Sequence, residues 1–258
     1  MSEHEPLREG ETIVLRRREG DRLLIRLEPG SRVVEGRGVL DLTELIGQAP
    51  GGSVRWAGAE YRVFRPSLSD LLTSLRRKAQ IVNAKDASYL LYLAGVGPGA
   101  SVAEAGSGSG ALTTVLAHAV GAAGHVFSFD RRADFLDVAR RNVAAAGLSD
   151  RVTFAERDVA ISGFDRDGLD SVLLDLAEPW DVLAAARTAV RTGGYVAAYV
   201  PTYNQLESTV RAMRDRGLEE IRATELLERG LHVGDGGTRP EFEMLGHTGF
   251  LCAGRRVD

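Results

Sequence analysis

The alternation of apolar and polar residues changes character near residue 65. Before that point, short β-type runs are separated by turns that contain glycine. The first two runs, Thr12–Arg18 and Arg22–Glu28, flank a Glu-Gly-Asp turn in the pattern of a hairpin. One helical turn is predicted at Leu42–Ile46, and further strands are predicted over Val33–Leu40, Ser53–Trp56 and Tyr61–Phe64. We therefore expect residues 1–65 to form a small β-rich domain, and no residue set in it suggests catalysis.

Beyond Arg65-Pro66, helical segments alternate with apolar strands. A first helix is predicted over Ser67–Lys78, with Ser67 as N-cap and Asp70 in the first turn. The other predicted helices are Ala84–Ala94, Ala111–Val120, Ala133–Ala146, Val182–Val190 and Gln205–Arg216. The predicted strands are Ser101–Ala105, His125–Asp130, Val152–Ala155, Ser171–Leu176, Tyr195–Val200, Glu219–Leu226 and Thr248–Gly254. This alternation favours an α/β domain over residues 66–258, with a doubly wound, mainly parallel sheet.

Two details of this second domain follow from the connections. The last two strands have no helix between them, so one of them is expected to run antiparallel. The polar segment Gly230–Glu243 is predicted to be a long loop.

Composition excludes several classes of protein. The 258 residues are 44% hydrophobic and 26% charged, as in ordinary globular domains. A single cysteine, Cys252, excludes disulfide frameworks and cysteine-based metal sites, and the five histidines lack ligand spacing, so no metal is expected. No apolar run is long enough for a membrane helix, and the polar, acidic amino terminus is unlike a signal peptide, so the cytoplasm is the expected compartment. The net charge of −4 argues mildly against a protein that binds nucleic acid over its whole surface.

The sharpest motif is a glycine loop, Val102-Ala-Glu-Ala-Gly-Ser-Gly-Ser-Gly110, between a predicted strand and a predicted helix. Glycines let the backbone approach a ligand closely, and the following helix start supplies unpaired N–H groups. The G-x-G-x-G spacing differs from the dinucleotide G-x-G-x-x-G fingerprint. Glu104, just before the glycines, could accept a hydrogen bond from a ligand ammonium group and would repel a phosphate. A tight turn without a ligand is the structural alternative.

Acidic residues follow the next three predicted strands. Asp130 ends the second strand, where a carboxylate can accept from both hydroxyls of a ribose. Asp158 and the N–H of Val159 follow the third strand and could meet an adenine edge, while Asp175 lies at the end of the fourth. Taken singly, each acid could be a solvated loop residue or a helix cap. Together they indicate a site for an adenosine with a cationic amino-acid tail, which is S-adenosylmethionine.

Five segments resemble those of the tRNA (adenine-N1)-methyltransferases that modify the T-loop adenosine (position 58), in their homomeric archaeal and bacterial form. The resemblance covers essentially the whole chain. The glycine loop is shared with all class I methyltransferases, and the other segments are more specific. The segments are Arg76-Arg-Lys-Ala-Gln-Ile-Val-Asn-Ala-Lys-Asp86, Glu104-Ala-Gly-Ser-Gly-Ser-Gly110, Asp175-Leu-Ala-Glu-Pro-Trp180, Ala198-Tyr-Val-Pro-Thr-Tyr-Asn-Gln205 and Gly246-His-Thr-Gly-Phe250.

This resemblance implies a class I S-adenosylmethionine-dependent methyltransferase domain with a Rossmann-like, seven-stranded sheet behind a small N-terminal β-barrel. It also implies a homotetramer, the T-loop of tRNA as substrate, and Asp175 and Tyr199 facing the target adenine. Relatives carry a ring where this chain has Asn83, and Trp180 or Tyr203 could replace that ring. The candidate cofactor contacts are Val82, Glu104, Gly106, Ser107, Gly108, Ser109, Gly110, Asp130, Arg131, Phe135, Asp158, Val159 and Asp175.

The candidate substrate contacts begin with a basic cluster beside the expected cofactor site. Phosphate contacts by these side chains would hold the tRNA, although a solvated helix end is an equal alternative for each of them. His247 could equally be a satisfied histidine at a strand start, and it is not expected to be catalytic. The full set is Arg76, Arg77, Lys78, Gln80, Asn83, Lys85, Trp180, Tyr203 and His247.

The expected chemistry assigns the central role to Asp175. Methylation of adenine N1 needs alignment rather than a general base, and it leaves a positive charge on the ring. A fixed carboxylate that accepts from the exocyclic amine would stabilise that charge. The structural alternative for Asp175 is a helix N-cap, and the one for Tyr199 is core packing.

Two other functions remain open for the whole protein. One is a class I methyltransferase acting on isoaspartyl protein or a small molecule, and the other is a non-catalytic tRNA-binding subunit.

Overall fold

The computed structural model describes residues 5–17, 20, 22–34, 36–76, 78 and 80–258. The chain divides into two compact units. One contains the described residues up to Arg76 together with Arg140–Asp150, and the other contains the described residues of 77–139 and 151–258. The domain boundary at residue 65 stays a prediction.

The first unit is built from β-strands, as its alternating pattern predicts. Four strands form an antiparallel sheet in the order β2-β1-β6-β5, and β3 pairs with β4 in a separate ladder. Apolar side chains from both, including Ile13, Leu15, Leu40 and Trp56, share one buried core. A 3-10 turn at Thr43–Leu45 confirms the predicted helical turn, while closure into a barrel stays a prediction. The strands are β1 (Thr12–Arg16), β2 (Arg22–Arg26), β3 (Ser31–Val34), β4 (Gly38–Asp41), β5 (Ser53–Trp56) and β6 (Ala59–Phe64).

The first helix, α1, starts where predicted and ends early. Ser67 accepts from the backbone N–H of Asp70, and the Asp70 side chain accepts from the N–H of Ser67, which forms a complete capping box. The helix covers Leu68–Thr73 rather than reaching Lys78. The reason lies at Arg76, whose N–H donates to the side chain of Asn142 and whose carbonyl accepts from it. These tertiary hydrogen bonds replace the ones that a longer helix would make.

The second unit contains the predicted seven-stranded sheet, in the order β12-β15-β11-β10-β7-β8-β9. Strand β15 runs antiparallel to both of its neighbours, β11 and β12, which confirms the expected antiparallel strand among the last two. The strands are β7 (Ser101–Ala105), β8 (His125–Asp130), β9 (Val152–Glu156), β10 (Leu169–Leu174), β11 (Val190–Val200), β12 (Leu218–Glu225) and β15 (Phe250–Arg256). The helices are α2 (Ala84–Leu93), α3 (Ala111–Val120), α4 (Ala133–Ala145), α5 (Val159–Ser162), α6 (Leu183–Ala189) and α7 (Tyr203–Asp215). Of α4, only the residues up to Ala139 belong to this unit.

The predicted loop at Gly230–Glu243 is wrong in part, because a hairpin forms inside it. Strands β13 (Leu231–Gly234) and β14 (Gly237–Pro240) pair antiparallel around the two residues Asp235 and Gly236. An Asp-Gly pair is a strong signal for a two-residue hairpin turn. The polar composition of the segment conceals this signal, and all eight strand residues are exposed.

Candidate functional site

Three of the predicted acids meet at the carboxyl ends of the parallel strands. Asp130 is the last residue of β8, Asp158 follows β9 as the N-cap of α5, and Asp175 follows β10 directly. All three line one cavity of about 380 Å³. This volume lies in the range of small-molecule sites, and its position is the crevice where open α/β sheets bind ligands.

Asp130 is held rigidly at this edge. Its Oδ2 accepts from the N–H of Gly108 at 3.1 Å, and its Oδ1 accepts from the N–H of Arg132 at 3.0 Å. A carboxylate offers about four lone-pair sites, so both oxygens keep the capacity to accept from a ligand. Because 8% of the residue stays exposed, that capacity faces the cavity that Asp130 lines.

The glycine loop fits closely against the main chain of Asp175, directly after β10. Gly106 has a φ of +96°, and a Cβ at this position would lie 2.1 Å from the carbonyl oxygen of Asp175. Gly110 caps α3 in the left-handed region, where a Cβ would lie 2.9 Å from the Cα of Ala139. Both glycines are therefore required by backbone conformation and by space.

Replacing Gly106 with alanine should displace either the glycine loop or the backbone of Asp175, since the two atoms nearest to the added Cβ are main-chain atoms of Asp175. We expect cofactor affinity and turnover to fall together, which calorimetry and a methyl-transfer assay can measure. Gly97→Ala is the matched control, because a Cβ added at Gly97 would meet no other atom within 4 Å. Full activity of the Gly106→Ala variant would contradict this account of the loop.

Glu104 lies beneath the loop rather than on the cavity wall. Its side chain is fully buried, and its Oε2 accepts from Ser128 Oγ at 2.6 Å and from Thr113 Oγ1 at 2.5 Å. The chain of hydroxyls continues to Ser107, whose Oγ lies 2.6 Å from that of Ser128. Oε1 of Glu104 is buried without a hydrogen-bond partner among the described residues. Burial raises the pKa of Glu104 to about 8, so the carboxyl is mostly protonated at neutral pH. Direct contact of Glu104 with a cofactor stays a prediction.

This buried acid predicts how stability depends on pH. Because the pKa of Glu104 is raised from 4.5 to about 8 in the folded protein, its stabilising effect is complete below pH 4.5 and is lost as the pH rises towards 8. Between pH 7 and 8, we expect the free energy of unfolding to fall by up to about 1 kcal/mol. Denaturant unfolding of the Glu104→Gln variant should show a much flatter dependence over this interval. An unchanged slope in the variant would assign the effect to another group.

Asp175 combines burial with a place on the cavity wall. Burial, and next the negative charge of Asp130, raise the pKa of Asp175 to about 7. The helix-cap alternative for Asp175 is wrong, because Glu178 is the N-cap of the following 3-10 turn, Pro179–Val182. Asp175 is thus free of a capping role and available to a ligand in the cavity.

Tyr199, next to the end of β11, is fixed by the segment before β15. Its hydroxyl donates to the carbonyl of Thr248 at 2.5 Å. A Cβ on Gly249 would lie 2.4 Å from the tyrosine ring, so only glycine fits there. Burial, followed by the negative charges of Asp86 and Asp175, raises the pKa of Tyr199 to about 12, so the phenol is neutral and cannot act as a base near pH 7. Contact between Tyr199 and a target base stays a prediction.

A buried ion pair fixes the same segment from the side of α2. Lys85 Nζ donates to Asp86 Oδ1 and to Thr248 Oγ1, each at 2.7 Å. Asp86 has no exposed surface, and its Oδ2 is buried without a hydrogen-bond partner among the described residues. Asn83 stands where the resemblance implies a ring in relatives. It caps α2 by accepting from the N–H of Lys85. The ammonium of Lys85 is therefore engaged inside the unit.

The remaining candidates divide by position. Gly106, Gly108, Arg131, Val159 and Gln80 line the cavity with the three acids. Ser107 and Ser109 in the glycine loop, and Val82 and Phe135 outside it, are buried but do not line this cavity, and Trp180 is half-buried. Lys78 forms an ion pair with Asp134, the backbone of Arg76 bonds to Asn142, and Arg77 lies outside the described residues.

Sequence reasoning missed several residues of the cavity wall. They lie at or beyond the carboxyl ends of strands that were already identified, so their position in sequence was the available signal. The missed residues are Ala105, Phe129, Arg132, Arg157, Ala160, Leu176, Ala177, Glu178, Asp181 and Val182.

Metal sites and membrane-spanning helices are absent from the described residues. No group of three or more His, Cys, Asp or Glu side chains in this part of the chain is arranged to hold a metal ion. The longest described helices have 13 residues, and none of the described helices could span a membrane.

Comparison with known proteins adds the family. The model of the family "tRNA methyltransferase complex GCD14 subunit" matches residues 65–238. A tRNA (adenine(58)-N(1))-methyltransferase TrmI of Thermus thermophilus is 36% identical over 95% of this chain and 96% of its own length. A tRNA (adenine(57)-N(1)/adenine(58)-N(1))-methyltransferase TrmI of Methanocaldococcus jannaschii is 30% identical over 77% of this chain and 79% of its own length.

Solved structures agree with the family. A SAM-dependent O-methyltransferase from Thermotoga maritima has a TM-score of 0.82 and 30% identity, covering 98% of this chain and 96% of its own. The tRNA (m1A58) methyltransferase TrmI from Aquifex aeolicus has a TM-score of 0.75 and 28% identity, covering 98% and 99%. These neighbours confirm the predicted class I methyltransferase fold. Because the family match extends over most of the chain and the Thermus relative is similar along nearly its whole length, the chain belongs to the GCD14 family of tRNA methyltransferase subunits.

Proposed function

We propose that this protein transfers a methyl group from S-adenosylmethionine to N1 of adenosine 58 in the T-loop of tRNA. The observation that carries the proposal is the similarity to the Thermus tRNA (adenine(58)-N(1))-methyltransferase, which extends over 95% of the chain. The cavity supports it, since a glycine loop and three carboxylates meet at its wall.

The residues present fit the adenosine part of this cofactor. Asp130 has free acceptor capacity for the two ribose hydroxyls, and Asp158 with the N–H of Val159 would meet the adenine edge. Gly108 leaves space at the wall, because a Cβ there would meet only the carbonyl oxygen of Gly106, at 4.0 Å. When bound, S-adenosylmethionine supplies a methyl group that is already activated on a positively charged sulfur.

The chain's own contribution is alignment and charge stabilisation. Adenine N1 attacks with its in-plane lone pair, so no proton has to be removed beforehand. The methylated ring carries a positive charge, and the Asp175 carboxylate would stabilise it while accepting from the exocyclic amine. The base must leave the folded T-loop to reach the cavity, at a cost of a few kcal/mol. Because the substrate is tRNA, the proposal places the reaction in the cytoplasm.

Mass spectrometry of tRNA nucleosides tests this function directly. Purified protein is incubated with S-adenosylmethionine and a tRNA transcript, and with a second transcript that carries guanosine at position 58. We expect 1-methyladenosine in the first transcript only. The name of the Thermotoga neighbour makes O-methylation the competing activity, so a 2′-O-methylated nucleoside, or methylation of isoaspartyl peptide but not tRNA, would overturn the proposal.

We further propose that the protein assembles as a homotetramer through the segment between β12 and β15. Six large apolar side chains in this segment are exposed, although soluble monomers rarely present such a concentration of apolar surface. They are Leu227, Leu231, Val233, Phe242, Met244 and Leu245. A second copy of the chain would cover them.

Light scattering coupled to gel filtration tests the assembly. We expect a mass near four times 27.8 kDa, and a smaller species after Phe242→Ser and Leu245→Ser are combined. The exposed Ile161→Ser change, on α5, is the control and should leave the mass unchanged. A monomeric wild-type protein would contradict the assembly without affecting the proposed reaction.

A further inference from the structure

Three rings form a continuous row at the start of α7 and β15. The ring centroid of Phe250 lies 4.3 Å from that of Tyr203 and 4.8 Å from that of His247. Phe250 is buried, whereas Tyr203 is 66% exposed and His247 is also at the surface. The buried ring therefore supports two outer rings whose faces remain accessible. We call these three residues the ring row.

His247 is held in one orientation by two hydrogen bonds. Its Nδ1 lies 2.8 Å from a carboxylate oxygen of Glu225, and its Nε2 lies 2.7 Å from the carbonyl oxygen of Pro201. Both neighbours offer acceptor oxygens, and this arrangement favours the form of the ring in which both nitrogens carry a proton. The hydrogen bond to Glu225, and next the one to Pro201, raise the pKa of His247.

The ring row is connected to the cavity wall through α7. Tyr203 is the first residue of α7, whose N-cap Thr202 accepts from the N–H of Gln205. The side chain of Gln205 donates to the carbonyl of Ala177 at 2.8 Å, and Ala177 lines the cavity together with Asp175. On the other side, β15 begins at Phe250, which pairs with Val200, the neighbour of Tyr199.

We propose that the ring row is a stacking platform for a base of the RNA substrate, with the exposed ring of Tyr203 as its contact face. This inference rests on the proposed function. A nucleobase leaving a folded loop loses its own stacking partners, and proteins replace them with aromatic side chains. The row supplies such a face, the buried Phe250 keeps it rigid, and His247 in its protonated form would complement the polyanionic backbone.

The platform makes a measurable prediction for RNA affinity. Stacking on an aromatic ring contributes about 1–3 kcal/mol per base, which corresponds to roughly a 5- to 150-fold change in the dissociation constant. Tyr203→Ala should weaken binding of a T-arm RNA hairpin by this factor in fluorescence anisotropy. Tyr203→Phe should retain wild-type affinity, because the ring face is kept. Cofactor affinity should be unchanged in both variants.

Tyr92→Ala is the matched control. Tyr92 is 65% exposed and has its own ring neighbour, Tyr89, at 5.3 Å, but it lies on α2 outside the ring row. Its replacement should leave RNA affinity unchanged. Because both tyrosines are exposed, thermal unfolding of all variants should match that of the wild type. A Tyr203→Ala variant that binds as tightly as the wild type, or a Tyr203→Phe variant as weak as Tyr203→Ala, would overturn the platform alone. Failure of the wild-type protein to bind the hairpin would overturn the proposed function with it.

Discussion

Replacing Asp175 with asparagine is expected to lower kcat about 100- to 1,000-fold, the usual effect of removing one group that stabilises charge in a transition state. The side chain keeps its size, so the cavity wall should be preserved. Cofactor affinity should change far less, because Asp130, Asp158 and the glycine loop provide the other contacts. Single-turnover methylation of a tRNA transcript, together with calorimetric titration of the cofactor, separates the two effects.

The pH profile supplies a second measure of the same residue. The pKa of Asp175 is raised to about 7, chiefly by burial, and the ionised form is the one that stabilises a cationic ring. The wild-type kcat/KM should therefore rise with pH up to about 7 and then level off, and Asp175→Asn should lose this rise. Asp215→Asn, at the exposed end of α7, controls for a change of net charge. If Asp175→Asn lowered turnover and cofactor affinity equally, the role of Asp175 would be confined to cofactor binding. A role confined to cofactor binding is the one we expect for Asp130, and Asp130→Ala tests it.

The second large effect concerns the ion pair inside the second unit. Lys85→Met should lower the free energy of unfolding by roughly 3–5 kcal/mol, because it leaves the fully buried carboxylate of Asp86 without its cation. The methionine retains most of the volume of the lysine stem, so lost packing contributes little. The chain has two tryptophans, so a Trp56→Phe background leaves Trp180 as the fluorescent reporter of this unit in urea unfolding.

Two variants show whether charge is the cause. Lys85→Met combined with Asp86→Leu removes both charges and should recover most of the lost stability. Arg211→Met breaks the ion pair with Glu207, in which both side chains are mostly exposed, and should cost less than about 0.5 kcal/mol. A Lys85→Met variant as stable as the wild type would show that Asp86 is already neutral or solvated.

The elements of the second unit could be predicted because their signals are local. The alternation of strands and helices depends on residues that are close in sequence, and the antiparallel last strand follows from the length of its connection. The capping box at Ser67 in the first unit is also a local feature. The end of α1 could not be predicted, since Asn142 lies 66 positions from Arg76. The hairpin around Asp235 and Gly236 was predictable in principle from its turn dipeptide.

The site shows the same division. The positions of Asp130, Asp158 and Asp175 follow from strand ends, which meet at one edge of any parallel sheet. The direction of Glu104 does not follow, because β7 is buried on both faces and its sequence carries no alternation to distinguish them. The pairing of Lys85 with Thr248 joins residues 163 positions apart, and only the completed sheet brings them together.

The contact between Gly106 and the carbonyl of Asp175 has a consequence for altering this protein's specificity. Because the turn and the strand end touch through their main chains, neither can be redesigned without shifting the other. Efforts to redirect the enzyme towards new acceptors should therefore leave these two positions intact and vary the periphery, where Glu178 and Asp181 are exposed.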